Sequence, residues 1–494
     1  METIHLKTVD PLSQDLLKSA FQRGIKLNWD RYEKLQPQDG FLRVGLSCPY
    51  GCLQGPCRID PLGRGPDRGL CGLDRDRMVA ALLLRLTLNG VLEAMDDGAM
   101  GSRKTAGISL SSPLDKIFSK AAKNLGGEKV SIEEVSRSAF YLSRPMESPE
   151  VLILQAMRLG AMALGLLEKP KSPKGSPGSL SFKVGYGLLA QKKFLIGVCG
   201  RPLAKLLETV QKEASRSFQD GGDLVSLGDW IAFKDSLLPC VCSSGEAELV
   251  LSSGKIDLLI AGPGTDPSMI ELSRSLNIPL ISTQGPKEAV DIVRRTREKA
   301  GAGSKPSFAP DPHLIEETEV IVSADQLGAT WKKEASGKVA LLGGADHLQQ
   351  SLGWIPGEVA FSLRGKKYGV AGWGDAALWM MKRGLASSKQ TSPVRILDDR
   401  EGPLLAVKAL AGSGRLKDLK GVCFTGLKSC RDLAVALGLA TLGIRVCVAV
   451  SLPLWGSEGG RKLLEEKLGA QGGSLTHFDH PAQAEEILDW FLKN

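Results

Sequence analysis

The first third of the chain carries apolar residues at helical spacing. They recur over Arg75 to Met95 and again over Ser131 to Leu167. Ser131 and Glu134 stand at the positions of a capping box, which favours a helix start at that point. The pattern therefore predicts a helical N-terminal region.

A different rhythm follows the stretch Lys169 to Ser181, whose Pro, Gly, Ser and Lys content predicts an exposed loop. Beyond it, short apolar runs typical of buried strands alternate with helical segments. A second loop of similar composition spans Gly301 to Pro312. The predicted strands and helices are Phe194 to Val198, Leu203 to Ser215, Leu258 to Ile260, Pro267 to Leu276, Leu280 to Ser282, Lys287 to Glu298, Val339 to Leu342, Gly369 to Ala371, Gly421 to Phe424, Arg445 to Val450 and Ala482 to Leu492.

This order of elements predicts an α/β multidomain fold, because 494 residues are too many for one ordinary core. We expect a helical domain over residues 1–185, a Rossmann-like α/β domain over 186–312 and a second one over 313–494. Ligand chemistry in such domains belongs at the carboxyl ends of parallel strands.

Composition and charge narrow the class of protein. Hydrophobic residues make up 43% and charged residues 24%, as in soluble enzymes, and the net charge is +8. Aromatic residues do not alternate with the basic ones as they do on nucleic-acid-binding surfaces, so we expect no nucleic-acid partner. An acidic, ferredoxin-like electron carrier or another redox subunit suits the positive charge better. Met1 to Leu17 shows no signal peptide, and Val151 to Leu167 is interrupted by polar residues, which predicts a cytoplasmic protein without a membrane segment.

Four of the ten cysteines lie close together, at Cys48, Cys52, Cys57 and Cys71. In a reducing compartment such a cluster indicates metal binding rather than disulfides. Thiolates without histidine favour an iron–sulfur cluster or structural zinc. Zinc sites usually contain two pairs of closely spaced cysteines separated by a longer segment. Here three cysteines lie close together in the sequence and the fourth follows later, so a 4Fe–4S cluster is the preferred interpretation.

The segments around these cysteines resemble a known family. They are similar to the N-terminal segment that binds the cubane 4Fe–4S cluster in the anaerobic nickel–iron carbon monoxide dehydrogenases, which are relatives of the hybrid-cluster (prismane) proteins. The similarity lies in GPCRID, in the spacing from it to GLCG, and in the predicted helix RDRMVAALLLRLTLNGVLEAMDDG. CSSGEAELVLSSGKIDLLI resembles that family's middle domain, and GLKSCRDLAVALG its late cysteine loop. The resemblance implies a helical Fe–S domain before two Rossmann-like domains, a homodimer, a cubane that relays electrons and a nickel–iron–sulfur site that interconverts CO and CO₂.

The chain departs from that pattern at the nickel site, for which the family uses one histidine and five cysteines. Only Cys242 and Cys430 match. The remaining cysteine positions align with Gly264, Gly344 and Trp373, which cannot bind a metal, and no histidine follows the strand that ends at Val198. We therefore interpret the chain as a divergent, shortened member, and we expect no nickel.

Two questions about the cysteines stay open. No cysteine precedes Cys48, and the first hook is C-x₃-C, so Cys48 either ligates the cubane or occupies the family's dimer-bridging position. Cys199, Cys242 and Cys430 lie near predicted strand ends and could hold a second, atypical cluster. The alternative is that they are small buried residues, which is our interpretation of Cys423 and Cys447.

Three functional hypotheses follow. The first is an iron–sulfur electron-transfer protein of the carbon monoxide dehydrogenase family that does not itself oxidise CO. The second is an active oxidoreductase, on CO or another small molecule, that uses a remodelled cluster. The third is a scaffold subunit of a larger complex with a structural cluster.

Overall fold

The computed structural model describes most of the chain. The described residues are 7–35, 40–96, 114–125, 131–168, 178–190, 194–218, 221–282, 285–300, 308–333, 337–387, 393–478 and 480–493. Most of the two predicted loops, over 169–177 and 301–307, therefore lies outside the described residues.

Helices dominate the N-terminal part and alternate with strands afterwards. The helices are α1 (Pro11–Gln22), α2 (Asn28–Leu35), α3 (Gly40–Arg43), α4 (Arg75–Asp96), α5 (Asp115–Asn124), α6 (Glu133–Ser143), α7 (Pro149–Leu167), α8 (Ala204–Ser217), α9 (Ala247–Ser252), α10 (Pro267–Ser275), α11 (Pro286–Ala300), α12 (Ala324–Lys333), α13 (Trp354–Gly365), α14 (Gly374–Lys382), α15 (Pro403–Gly412), α16 (Cys430–Thr441), α17 (Glu458–Ala470) and α18 (Ala484–Leu492).

The strands form two main sheets and one small hairpin. They are β1 (Ser179–Val184), β2 (Phe194–Cys199), β3 (Gly222–Ser226), β4 (Ala232–Phe233), β5 (Ser236–Leu237), β6 (Leu258–Ala261), β7 (Leu280–Ile281), β8 (Glu316–Ile321), β9 (Val339–Gly344), β10 (Gly369–Gly372), β11 (Arg395–Leu397), β12 (Leu419–Gly426), β13 (Arg445–Val448) and β14 (Ser474–His477). The fold is therefore mixed α/β, as predicted.

The smaller main sheet has the order β3-β2-β6-β7 and is parallel throughout. The larger has the order β1-β8-β11-β10-β9-β12-β13-β14 and is parallel except for β1, which pairs antiparallel with β8. The predicted domain division at residue 185 stays a prediction. Strand β1, which precedes that division, pairs with β8 of the larger sheet, so the chain contributes a strand to the larger sheet before it forms the smaller one.

The helical region packs directly on the C-terminal domain. Helices α4 and α7 contact each other and α16, and their buried side chains belong to one core that extends to β9 and β12. Two glycines allow α7 and α16 to approach closely: a Cβ on Gly160 would lie 2.8 Å from the backbone nitrogen of Gly438. This contact ties the N-terminal region to the sheet that follows it.

Helix α7 confirms that Val151 to Leu167 is a packed helix, since nearly all of its residues from Leu152 onward are buried. Helices Arg75–Met95 and Pro149–Leu167 have the length and hydropathy of membrane spans, but 67% and 83% of their most apolar windows are buried within the protein. Core helices commonly have these properties.

The structure corrects the predicted capping box. The N-cap of α6 is Ile132, and the Ser131 hydroxyl accepts only from the backbone nitrogen of Glu133, at 3.3 Å. Glu134 instead turns inward, where its carboxylate pairs with Arg158 of α7. The predicted continuous helical segment is accordingly two helices, α6 and α7, separated by a turn.

Candidate functional site

The cysteine motif begins on a short backbone ladder. Cys48 N donates to Cys57 O at 2.8 Å, and Ser47 and Arg58 form an antiparallel bridge beside it. The ladder closes the loop that carries Cys52, which turns where Gly51 adopts a φ of 62° that glycine tolerates best. Three of the four predicted ligands are thereby held on one compact loop.

A second turn returns Cys71 to this loop. Gly72 N donates to Gly69 O at 2.9 Å, and Gly69 N donates to Leu73 O at 2.9 Å. The turn places the backbone nitrogen of Leu70 3.5 Å from Cys57 Sγ. An amide directed at a sulfur is the arrangement that stabilises a metal-bound thiolate.

The helical core anchors both turns. Leu46, Ile59 and Leu73 are buried, at 0–2% exposure, in the core formed with α4 and α7. Arg75 donates to Asp60 O at 2.5 Å, and Arg85 donates to Pro49 O. The loop positions are therefore set by packing and hydrogen bonds that do not depend on a metal.

The four thiols lie in one locality. Burial raises the pKa of Cys48, and negative charges at Cys57, Cys52 and Cys71 raise it further, against the effect of the Tyr50 backbone amide. Each of the other thiols is thus close enough to act on Cys48. A positively charged metal centre at this place would offset that repulsion and favour the thiolate forms.

Two glycines lie against the thiols. A Cβ on Gly55 would lie 3.5 Å from Cys52 Sγ, and a Cβ on Gly69 would lie 3.6 Å from Cys57 Sγ, both ordinary van der Waals distances. The Tyr50 hydroxyl is buried and has no hydrogen-bond partner among the described residues. Burial and the charges of Cys48 and Cys71 raise the pKa of Tyr50 to about 12.

The chemistry of the four donors limits what they could hold. Among the described residues, no group of three or more Cys, His, Asp or Glu side chains is arranged to hold a metal ion. Four thiolates without histidine suit an iron–sulfur cluster or structural zinc.

The motif lies at the molecular surface. Cys52 and Cys71 are exposed, and Leu53 and Leu70 beside them are 103% and 74% exposed. Large apolar side chains in such positions are typical of contact surfaces. A redox partner or a second copy of the chain could approach the thiols here without rearrangement of the core.

The three cysteines proposed for a second cluster lie in different surroundings. Cys199 ends β2 and is buried with Cys242 in one core, where burial raises the pKa of both thiols. Cys430 is half-buried at the start of α16 and faces α4, where burial and the charge of Glu93 raise its pKa. This placement does not support a cluster shared by all three.

The other cysteines are packed like small apolar residues. Cys423 and Cys447 are adjacent in register on β12 and β13, and both are fully buried. Cys240 is also fully buried, and its thiol donates to Cys242 O at 3.1 Å. None of these three has an exposed face.

Trp373 stands at one of the positions where the resemblance predicts that a metal ligand is missing. Its indole is 4% exposed and packs edge-on against Phe424 with ring centroids 5.3 Å apart. A Cβ on Gly343 would lie 2.0 Å from the same ring, so the neighbouring strand has no side chain there. The position is filled by a close-packed aromatic ring.

Acidic residues at the strand ends form a polar site that sequence reasoning missed. Asp346 follows β9, Asp375 follows β10 and Asp399 follows β11, all on adjacent parallel strands. Asp375 accepts from Ser244 Oγ at 2.5 Å and from the backbone nitrogen of Asp346 at 2.9 Å. The signal was present in the sequence, since GGAD, GWGD and LDDR each follow an apolar strand.

Electrostatics distinguish this strand-end cluster. Burial raises the pKa of Asp399 to about 7, Arg431 lowers it, and neighbouring carboxylates raise it. Lys428 lies 3.7 Å from Asp229, and although burial alone would lower its pKa, the facing carboxylates, led by Asp229, raise it. Perturbed titratable groups at the carboxyl ends of strands are candidates for acid–base chemistry.

A cavity of about 1320 Å³ lies elsewhere, and no cysteine lines it. At its floor Lys382 is 2.6 Å from Glu246 and 3.4 Å from Asp10, with the Tyr186 and Trp379 rings against it. Its cation is therefore already neutralised. We associate the redox chemistry with the cysteine loop, where the donors are.

Comparison with curated proteins identifies relatives over a limited segment. Carbon monoxide dehydrogenase 1 of Methanosarcina mazei is 44% identical over 95 residues, which are 19% of this chain and 15% of that protein. Carbon monoxide dehydrogenase 1 of Carboxydothermus hydrogenoformans is 46% identical over 91 residues, 18% of this chain and 14% of that protein. The matches thus span about one seventh of the relatives' length.

Solved structures extend the likeness to the whole fold. Carbon monoxide dehydrogenase IV from C. hydrogenoformans has a TM-score of 0.73 at 19% identity and covers 98% of both chains. The chain has the fold of the carbon monoxide dehydrogenases, and a segment of it is similar to them in sequence. A nickel-free carbon monoxide dehydrogenase from Thermococcus sp. AM4 has a TM-score of 0.75 at 18% identity, covering 99% of this chain and 98% of its own. No protein-family model matches the chain.

Proposed function

We propose that this relative of the carbon monoxide dehydrogenases is a cytoplasmic electron-transfer protein whose Cys48, Cys52, Cys57 and Cys71 hold one 4Fe–4S cluster. The observation that supports this most strongly is the cysteine loop, where four thiols lie near one another and a backbone amide is directed at Cys57. The bound cluster would supply one-electron transfer. The chain's own residues position the thiols and keep them accessible from the surface.

We do not expect CO oxidation. That reaction needs a metal that binds CO, a hydroxide donor and groups that move protons. The positions that would supply metal ligands hold Gly264, Gly344 and the packed indole of Trp373, and Val198 is followed by CGRP rather than histidine. These residues do not fit a nickel–iron cluster.

The exposed rim of the cysteine loop supports two partners. A second copy of the chain could cover Leu53 and Leu70, giving a homodimer. An acidic, ferredoxin-like carrier suits the net charge of +8, which would steer its approach. A cluster with no such partner would fit the alternative of a scaffold subunit.

A second candidate function rests on the strand-end cluster. Asp399 and Lys428 lie at the edge where α/β enzymes bind ligands, and the perturbed pKa of Asp399 suits proton transfer near neutral pH. The chain would then be an oxidoreductase acting on a small molecule other than CO.

Anaerobic purification followed by assays for iron, sulfide, nickel and CO-dependent dye reduction separates these functions. Our proposal predicts about four irons per chain, no nickel, no CO turnover and a cluster reducible by a ferredoxin-like donor. Nickel with CO turnover would overturn it. A cluster that no physiological donor reduces would favour the scaffold instead.

A further inference from the structure

Tyr50 lies inside the cysteine loop with its ring against the helical core. Its hydroxyl is buried, and among the residues that the structure describes it has no hydrogen-bond partner. A buried hydroxyl without a partner is destabilising, because it has lost its bonds to water and gained nothing in return. The Tyr50 hydroxyl would therefore be stabilised by a hydrogen-bond acceptor bound within the cysteine loop.

The surroundings of Tyr50 point to sulfur as that acceptor. The backbone amide of Tyr50 bonds to Cys48, and charges on Cys48 and Cys71 both act on the Tyr50 hydroxyl. Arg77, which also acts on it, offers only donors. Glu147 contributes the weakest of these effects, and no hydrogen bond from Tyr50 to Glu147 is present.

We propose that the Tyr50 hydroxyl donates a hydrogen bond to the sulfur shell of the cluster, on the side of Cys48 and Cys71. This inference rests on the proposed 4Fe–4S cluster. Hydrogen bonds to the sulfurs stabilise the more negative, reduced state and so raise the reduction potential. Tyr50 is a positioning residue that tunes the cluster, because it binds no iron itself.

Tyr50→Phe tests the proposal, since it removes the hydroxyl and keeps the ring in the core. We expect iron and sulfide content equal to the parent's and a more negative midpoint potential in an anaerobic titration followed by electron paramagnetic resonance. The reduced parent should also show an exchangeable proton coupled to the cluster that the variant lacks, measured by electron–nuclear double resonance in H₂O and D₂O.

Tyr141→Phe is the matched control, because Tyr141 packs against the same core from α6, away from the cysteine loop. It should leave both readouts at their parental values. An unchanged potential and unchanged proton coupling in an iron-loaded Tyr50→Phe protein would overturn the hydrogen bond and leave the cluster intact. Absence of iron from the parent protein would instead overturn the proposed function.

Discussion

Asp399 is the residue whose charge is most finely balanced in this protein. It follows β11 beside Asp375 and Asp398, and Arg431 faces it from α16. Burial and the neighbouring carboxylates outweigh the guanidinium, so the pKa of Asp399 rises to about 7. Its proton is therefore in exchange at physiological pH.

This raised pKa predicts a pH-dependent cost to stability. The folded state holds the proton up to about pH 7, whereas the unfolded chain releases it near pH 4, so stability falls as pH rises through that window. Asp399→Asn, which cannot ionise, should match the parent's Tm at pH 5 and exceed it at pH 8. Asp235→Asn, at an exposed loop position, should show no such divergence. A lower Tm for Asp399→Asn at pH 8 would mean that Asp399 stabilises the fold as a carboxylate.

Glu134 and Arg158 form a buried ion pair between α6 and α7, with side chains 3% and 7% exposed. Burial opposes ionisation, but hydrogen bonds from Arg158 and Gln155 lower the pKa of Glu134. Glu134→Gln should destabilise the protein by about 3–5 kcal/mol, because it leaves a buried guanidinium without its counter-charge. Calorimetric melting measures this, and Glu458→Gln, in the exposed pair with Lys462, should melt like the parent.

These residues also show the limits of sequence reasoning. Glu134 was predicted to cap a helix because Ser131 precedes it at the right spacing, and its true partner lies far along the chain at Arg158. The grouping of the four cysteines could be predicted from local spacing alone, and their role as cluster ligands stays a prediction. The lack of a hydrogen-bond partner for the Tyr50 hydroxyl could not be predicted, because it depends on how separate segments of the chain pack around the loop.

At the scale of elements, the crossing of α7 and α16 is a close backbone contact within the core. A Cβ on Gly438 would lie 2.3 Å from the Gly160 carbonyl oxygen, so the two backbones nearly touch. The crossing fixes α16, and with it Cys430 and Arg431, against the helical region.

Gly438→Ala should force these helices apart and destabilise the protein by about 1–3 kcal/mol, as overpacking in a close-packed core does. A lower Tm in scanning calorimetry is the expected result. Gly469→Ala is the matched control, since a Cβ on Gly469 of α17 meets nothing within 4 Å. It should leave the Tm unchanged or raise it slightly, because alanine is the better helix former. Equal effects of both changes would show that the crossing is not tightly packed.

Buried parallel strands were the elements most open to prediction. The runs at Phe194, Leu258 and Val339 are continuously apolar because both faces of their sheets are covered, and the structure confirms a strand at each. Strand β8 begins with four polar residues, Glu316 to Glu319, and only its last two residues are apolar. Its partner β1 lies at the sheet edge. Both went unpredicted because their hydrophobic signal is short.

At the scale of the whole molecule, the fold matches that of carbon monoxide dehydrogenases over nearly the full chain. Trp373, Asp375 and Asp399 lie just beyond the carboxyl ends of neighbouring parallel strands. The cysteine loop is the other candidate site, with Cys52 and Cys71 exposed, and it is where we propose the redox function.

The fold class was accessible from the sequence because strand and helix patterns are local and repeat. The strand-end cluster could not be predicted, because a single Asp after a strand is common in turns. Asp346 and Asp375 follow predicted strands, but β11, which precedes Asp399, was not predicted. The three acidic residues form one site only because the parallel sheet places β9, β10 and β11 side by side.

The most direct test of the central claim is the iron content of anaerobically prepared Cys57→Ser protein beside the parent and Cys423→Ala, a change in the core of the large sheet. We predict about four irons per chain in the parent and in Cys423→Ala, with a reduced-cluster resonance signal, and loss of both iron and signal in Cys57→Ser. A Cys57→Ser protein with the parent's iron content would contradict the account.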